Sequence, residues 1–495
     1  MTFYRFFEII PGALAWITIV LMFLFSWFFP TWVAIFIIFF DIYWLLKTIY
    51  LSFHLRVSFK KIQENLKIDW LEKVRQLANW QKVHHLLILP MYKEQYEVVK
   101  ESFDALANIN YPKDKVIVVL APEEKAGEEA RETAKKIESE FGNKFFKFLT
   151  VFHPMNLPGE IPGKGSNQAW AAKEVKKSII DPLGISYENI LLSVFDVDTQ
   201  VPTDYFGRLT YVFLTCENPQ HSSFQPIPLF TNNIFQAPAL ARVIAFSSTF
   251  WHMIQQSRPE RQTTFSSHSM SFKAIVEVDF WDKDVVSEDS RIFWQCYLHY
   301  GGNWRVEALL YPVSMDANVA PGFWKTMINQ YKQQRRWGWG CENIPYFLEG
   351  FRKDSNEKKR IPWTKKLYWR FNILESFHSW ATNAIILFAL GWLPIFLGGT
   401  KFNLTLLSYN LPQITRFIMT LAMIGVVSSA ILSIILLPPK PEWFKKWHYI
   451  FYVLQWILMP ITLILFGAIP GLEAQTRMMI GGKSRLGFWV TPKHR

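Results

Sequence analysis

Ile190-Leu191-Leu192-Ser193-Val194-Phe195-Asp196-Val197-Asp198-Thr199 is the stretch on which the reading of this chain turns. A short apolar run that closes on two acids is what a strand buried on both faces looks like as it leaves its sheet. In extended backbone, residues two apart point the same way, so Asp196 and Asp198 converge where the strand ends. In open α/β sheets that edge is where ligands bind. Two carboxylates there suit Mg2+ or Mn2+ shared with substrate phosphates. A solvated turn is the other reading of the same four residues.

Outward from this strand the pattern is α/β. Apolar runs at 86–89, 116–120 and 145–152 read as further strands, the first ending at Pro90. Residues 96–109 and 123–141 read as helices, the second highly charged. Strands alternating with helices imply parallel pairing. No GxGxxG or Walker loop occurs, which disfavours a dinucleotide-binding Rossmann domain and a P-loop enzyme.

Both flanks are different in kind. Residues 9–40 carry no Asp, Glu, Lys or Arg. That is longer than the ~7–15 residues of a signal-peptide core. With Pro30 in the middle it reads as a hairpin of spans at 12–29 and 31–53, each near the ~20 residues that cross a bilayer. Asp41 and Lys47 lie in the second span, where a charge must face protein or the interface. Arg56, Lys60, Lys61 and Lys67 follow, which marks that flank as cytoplasmic. Three more runs without Asp, Glu, Lys or Arg occur at 376–400, 417–439 and 447–472. Charged residues are 19% of the chain, below the roughly 25% of soluble proteins. A mean hydropathy of +0.07 is too low for a chain wholly in lipid, so a soluble domain between spans fits both figures. The net charge of +12 sits largely beside the spans, which argues against nucleic acid as a partner. Cys216, Cys296 and Cys341 make neither a disulfide framework nor a zinc site.

Two further stretches can carry chemistry. Ser287-Glu288-Asp289-Ser290 could present a general base to a hydroxyl, and it also reads as a helix N-cap. In Gln333-Gln334-Arg335-Arg336-Trp337, the residues Gln333, Arg336 and Trp337 share a helix face with Asn329. Arg can grip diphosphate and Trp can face a sugar ring. An interfacial amphipathic helix is the alternative.

Taken in order and flanked by spans, DxD, ED and QxxRW resemble the membrane-embedded glycosyltransferase family 2 enzymes, of which cellulose and hyaluronan synthases are relatives. Further stretches carry the likeness. Residues 87–94 look like the opening strand and Pro-x-x-x-Glu turn of a GT-A-type domain. Residues 163–169 look like the Lys-then-Asn segment beside the nucleotide, and 265–273 like the acceptor-pocket loop. Phe488-Trp489-Val490-Thr491-Pro492-Lys493 looks like the FxVTxK gating segment. There are departures. No Asp ends the second strand, so Glu123 must substitute in holding the nucleobase. The spacing from Lys164 to Asn167 is short, and His268 stands where relatives keep Arg.

The resemblance implies an α/β GT-A-type domain, mostly parallel with flanking helices, inserted between N- and C-terminal transmembrane helices. The divisions expected are a hairpin at 1–55, a linker at 56–81, the transferase domain at 82–322 and interfacial helices with QxxRW at 323–373. A membrane region at 374–472 and a basic cytoplasmic tail at 473–495 complete the chain. The implied activity moves a hexosyl unit, with inversion, from a UDP- or GDP-sugar to a growing polysaccharide. A single transfer to a polyprenyl phosphate or other lipid acceptor is the alternative, and an inactive membrane scaffold the non-enzymatic one. Asp289, beside Glu288, would be the base; Asp198 and Asp196 would hold Mg2+ or Mn2+. Glu123, Lys164, Asn167 and Asp196 would bind donor. Gln333, Arg336, Trp337 and His268 would bind acceptor and diphosphate. Phe488, Val490, Thr491 and Lys493 would gate. The protein would be a multi-pass plasma-membrane protein with a cytoplasmic catalytic domain.

Three C-terminal crossings would leave the tail outside, away from the nucleotide. The basic tail and its gating-like end therefore predict that one segment fails to cross. Residues 447–472 are the candidate, because Pro460, Gly467 and Pro470 can break the helix. A fourth, poorly marked crossing is the other solution.

Overall fold

The computed structural model describes residues 2–354 and 360–492. Its centre is a seven-stranded sheet: β1 (His84–Met91), β2 (Val116–Pro122), β3 (Lys147–Thr150), β4 (Ile190–Val194), β5 (Ser222–Phe230), β6 (Ser269–Ser271) and β7 (Arg305–Met315). The order is β3-β2-β1-β4-β6-β5-β7. All neighbours are parallel except β6, which runs against β4 and β5. The mostly parallel sheet, set among helices and flanked by apolar ones, is the expected fold class.

Alternation on the strands explains the two-sided burial. Leu86, Ile88, Ile117 and Val119 face one layer, which holds the helices Lys164–Val175 and Glu288–His299. Leu87, Leu89, Val118 and Leu120 face the other, against Tyr96–Ala107, Glu128–Phe141 and Tyr205–Thr215. Chain order reverses between β1 and β4, so their carboxyl ends open a crevice at the switch point.

Several expected boundaries move. The first strand runs past Pro90 to Met91, because Pro90 pairs with Ala121 near the strand's end, where one donor less costs little. The charged helix starts at Glu128 rather than 123, since Gly127 adopts φ 89° just before it. β3 is shorter than 145–152. β5, β6 and β7 are strands beyond those expected: β5 holds Pro226 and Pro228, β6 has three residues, and Glu307 and Pro312 interrupt the apolar residues of β7.

By length and composition, four helices among the described residues could cross a membrane: Phe3–Phe28, Pro30–Asn65, Leu406–Ile435 and His448–Ile480. The break between the first two falls at Pro30, which opens the second helix at its first turn. The apolar run at 376–400 is not one helix. Trp363–Ala389 ends there, and Leu393–Leu397 and Gly399–Asn403 follow, split around Gly398-Gly399 with Gly399 at φ 71°. Pro30–Asn65 and Leu406–Ile435 lie alongside each other, Thr48 against Gly425 and Arg56 hydrogen-bonded to Ser428 at 3.2 Å. Met22, Ile37, Ile386 and Leu411 form a cluster at one end of these helices. At the other end Trp369 packs on Phe293 and Trp294 of the α/β domain.

The helix His448–Ile480 touches the α/β domain and its Phe323–Gly338 helix along its length. Gln455 accepts from Arg242 at 2.7 Å, Trp456 stacks on Phe250 at 5.8 Å, and Glu473 pairs with Arg335 at 2.7 Å. A 3-10 turn at Gln455–Leu458 and a π turn at Ile464–Ala468 vary its winding without ending it. Its last carbonyls, on Met478, Met479 and Ile480, are capped by Arg5 from the first helix. Glu8, nearly buried, pairs with both Arg5 and Arg485 and so ties the chain's start to its tail.

Candidate active site

Thr199 N–H returns to Asp196 C=O at 2.8 Å, so the chain turns tightly as it leaves β4. The turn parts the two acids. Asp198 is fully buried, its Oδ2 accepting Asp316 N–H at 2.9 Å, and Asn232 donates to its carbonyl at 3.0 Å. Asp196 stays partly open and faces Lys164, whose Nζ lies 2.7 Å from its Oδ1.

Lys164 is the hub. Its ammonium also donates to Asp289 Oδ2 at 2.9 Å and Oδ1 at 3.1 Å, and to Ser266 Oγ at 3.2 Å. Burial works against this charge, but Asp196, Asp289 and Glu288 outweigh it and push the lysine pKa up. Close packing on either side of Lys164 requires glycine. A Cβ on Gly163 would come within 2.6 Å of Phe488 Cγ, and one on Gly165 within 2.9 Å of Glu288 Cβ.

The two acids of the Glu288–His299 helix also part. Asp289 is in the cleft, with His268 Nδ1 4.0 Å away. Glu288 is turned into the core beside Gly165. Burial pushes its carboxyl up to about 8, Asp289 adding to the rise and Lys164 and Arg336 opposing it. His268 is buried, which lowers its pKa; Nδ1 lies 2.9 Å from Phe265 C=O. Ser287 does not cap its helix. Its N–H and hydroxyl donate instead to Glu342 Oε1 at 2.7 and 2.6 Å, and Val286 N–H joins them at 2.9 Å. Trp339 Nε1 donates to the other oxygen at 2.8 Å.

Glu342 is therefore the anchor of the segment that carries Asp289, and no local pattern marked it. Leaving a buried donor unsatisfied costs about 1–3 kcal/mol. Glu342→Ala is expected to lower the melting temperature and kcat together while donor affinity holds. Glu342→Gln, which keeps an acceptor, should recover much of both. Unchanged unfolding and turnover in Glu342→Ala would remove it from this role.

The Phe323–Gly338 helix splits its polar residues. Gln333 Oε1 accepts from Asn318 at 3.3 Å, beyond the end of β7. Arg336 lies 5.3 Å over the Phe488 ring, and its Nε is buried without a hydrogen bond. Trp337 sits beside Phe230 at 6.3 Å. Arg335 turns the other way, to Glu473. The tail thus reaches the cleft: Phe488 packs on the Lys164 loop, Trp489 lies 5.5 Å from Lys332 Nζ, and Thr491 is buried. Val490 is half-buried beside them, and Lys493 lies outside the described residues.

At the neighbouring strand ends, Glu123 follows β2, buried, with its carboxylate 2.7 Å from Lys125. Lys125 also lies 5.3 Å over the Tyr92 ring. Asn167 is not open to this crevice; it is buried and donates to Ala121 C=O at 2.7 Å, pinning its helix to β2. Gln225, unmarked in the sequence reading, receives Phe265 N–H at 2.9 Å and donates to Ser266 C=O at 3.1 Å, which sets the loop beneath Lys164.

By chemistry Asp196 and Asp198 are hard oxygen ligands that suit a divalent cation, but the turn sends them to different neighbours, Asp196 to the Lys164 ammonium and Asp198 to Asp316 N–H, so a shared cation would have to draw them together. Among the described residues no group of three or more His, Cys, Asp or Glu is placed to hold a metal.

Residues 191–471 match the family described as "Glycosyl transferase family group 2". No curated protein matches the sequence. Solved structures similar to the chain include the mannosyltransferase PcManGT from Pyrobaculum calidifontis in complex with GDP-Man and Mn2+. It is 13% identical, with TM-score 0.44, covering 78% of this chain and 98% of that one. Another is TarS 1-349 from S. aureus in complex with UDP-GlcNAc, 12% identical, with TM-score 0.37, covering 70% and 90%.

Proposed function

Because the chain belongs to glycosyl transferase family group 2, and is therefore a glycosyltransferase, we propose that it transfers a hexosyl unit from a nucleotide sugar to a growing glycan at a membrane surface, with inversion. The observation that carries this reading is Lys164, which holds Asp196 and Asp289 on one ammonium at the carboxyl edge of β4. Donor-side and acceptor-side acids then share one cleft.

In this reading the crevice after β1 and β2, with Glu123 and Tyr92, takes the nucleoside. Lys164 and Arg336 face the diphosphate, and the free Nε of Arg336 is a buried donor for it. Mg2+ or Mn2+, held by Asp198 and Asp196, would neutralise charge on the diphosphate. Asp289 accepts the proton of the acceptor hydroxyl as that oxygen bonds to the anomeric carbon. The bond from that carbon to the diphosphate breaks, and nucleoside diphosphate leaves. His268, Gln333 and Trp337 line the acceptor side, so their share is orientation. Phe488, Val490 and Thr491 close over the donor.

Screening UDP- and GDP-sugars for nucleoside diphosphate release by the purified protein tests the activity; silence with every donor would overturn it. Radiolabelled product separates the acceptors. A ladder of oligomers means polysaccharide, and a single lipid-linked sugar means the lipid acceptor. The polysaccharide is the first reading; the lipid acceptor is a second, supported by the basic side chains of Lys47, Arg258 and Arg261 beside the apolar helices.

The same reading places the protein in a membrane with the α/β domain on the cytoplasmic side. Phe3–Phe28 and Pro30–Asn65 would cross outward and back. Trp363–Ala389 with its continuations, then Leu406–Ile435, would do the same. His448–Ile480 would stay at the surface it contacts throughout. A cysteine at position 484, in a variant without native cysteines, should resist an impermeant maleimide in intact cells and react after permeabilisation. Labelling from outside would refute the cytoplasmic tail.

A further inference from the structure

Two cations meet, and a third lies against Tyr50 one helical turn from Lys47, where the Pro30–Asn65 and Trp363–Ala389 helices pass the loop that leads to Phe265. Lys47 Nζ lies 3.7 Å from Glu375, and Arg261 lies 3.8 Å from the same carboxylate while also donating to Asn372. Ser379 donates to Glu375 as well, at 2.8 Å. Arg258 sits 5.4 Å from the Tyr50 ring centre; its Nε is buried, makes no hydrogen bond, and is 3.9 Å from the nearest carboxylate oxygen, on the exposed Glu260. Asp41 is six residues from Lys47 on the same helix, about 9 Å along the axis and on another face.

One partly buried carboxylate therefore serves two cations, and the third has only a distant partner. Excess positive charge among apolar helices is costly without an anion. Arg presents a fork that matches phosphate oxygens. The neighbouring Tyr50, Phe53 and Phe371 are 47%, 64% and 67% exposed, so the seam opens onto apolar surroundings. It also communicates with the cleft through one short piece of chain. His54 lies 2.8 Å from Ser257 at one end, and Thr264 donates to Asp289 C=O at 2.6 Å at the other. Arg261 and Thr264 are three residues apart, at most about 11 Å.

We propose that Lys47, Arg258 and Arg261 form a binding site for the phosphate head of a membrane lipid, with the lipid's chain lying along the exposed aromatics and its head beside the acceptor loop. The placement rests on the proposed membrane seat and on Asp289 as the base. A lipid-linked acceptor held there would present its first hydroxyls to the cleft.

The test is retention of lipid by the full-length protein in detergent, without donor and without turnover. The probes are a polyprenyl phosphate, the polyprenol of equal length, phosphatidylglycerol and inorganic phosphate. Polyprenyl phosphate should be retained at least about tenfold better than polyprenol, the difference expected for one charge-assisted contact. The Arg258→Gln/Arg261→Gln double variant should abolish that preference, Arg258→Lys/Arg261→Lys should keep part of it, and Lys445→Gln/Lys446→Gln, in an exposed loop, should leave it intact. Competition by phosphatidylglycerol would support a general lipid-phosphate site; competition by inorganic phosphate alone would refute a lipid occupant. Equal retention of phosphate and alcohol, or an unchanged preference in a double Gln variant with unaltered melting temperature, would overturn the site. Nucleoside diphosphate release, measured separately, shows whether the glycosyltransferase reading stands or falls on its own.

Discussion

Asp289→Asn should lower kcat by roughly 10²–10⁴-fold while donor affinity stays within a few-fold, because a general base acts in the transition state and not in donor binding. Asparagine keeps the side-chain shape and one acceptor for Lys164, which donates to both Asp289 oxygens. The fold has little reason to respond: the helix is anchored through Val286 and Ser287 on Glu342, and Thr264 reaches only the backbone carbonyl of Asp289. Donor binding by calorimetry and single-turnover transfer on the same preparation separate the alternatives. If affinity for the nucleotide sugar collapsed while turnover per bound donor persisted, Asp289 would be a donor ligand.

Asp198→Asn is the second large effect. Loss of one charged oxygen from the proposed Asp196–Asp198 cation site should cost orders of magnitude in transfer rate and shift activation to much higher Mg2+ or Mn2+. Asparagine can still accept Asp316 N–H, the 2.9 Å bond that joins β4's turn to the end of β7, so the protein should remain folded. Transfer rate against metal concentration and a melting curve are the measurements. Near-normal turnover at low metal would end the assignment of Asp198, and a large drop in melting temperature would make it a structural link instead.

Much of the fold was legible. The strands β1, β2 and β4 are unbroken apolar runs, and their alternate residues do face the two helix layers. Three strands were not expected: β5 has two prolines, β6 has three residues paired to both sides, and β7 has Glu307 and Pro312 among its apolar residues. Pro460, Gly467 and Pro470, expected to break 447–472, lie within one helix, His448–Ile480, in which they are accompanied by a 3-10 turn and a π turn and which is long enough to cross a membrane. Pro30 and the turn after 390 mark the helix ends more sharply than hydropathy does, since apolar composition alone is silent on where a helix stops.

The candidate site divides along a different line. DxD, ED and QxxRW are local strings and could be read as such, but the side chains within each do not act alike. Asp196 faces the cleft and Asp198 is buried; Asp289 faces Lys164 and Glu288 faces the core; Arg336 faces Phe488 and Arg335 faces Glu473. A spacing of one or two residues cannot decide this, because the turn after a strand or at a helix start is shaped by what packs against it. Apolar period, span length and the order of acidic and basic strings depend on neighbours in the chain, and the sequence by itself determined those. Only the tertiary structure decided that Lys164 reaches both Asp196 and Asp289, the latter 125 residues from it, that Glu342 holds the Asp289 segment, and that Phe488 lies on Gly163. Those contacts exist because two layers close on one sheet edge, and no local pattern encodes which distant groups that closure brings within hydrogen-bonding reach.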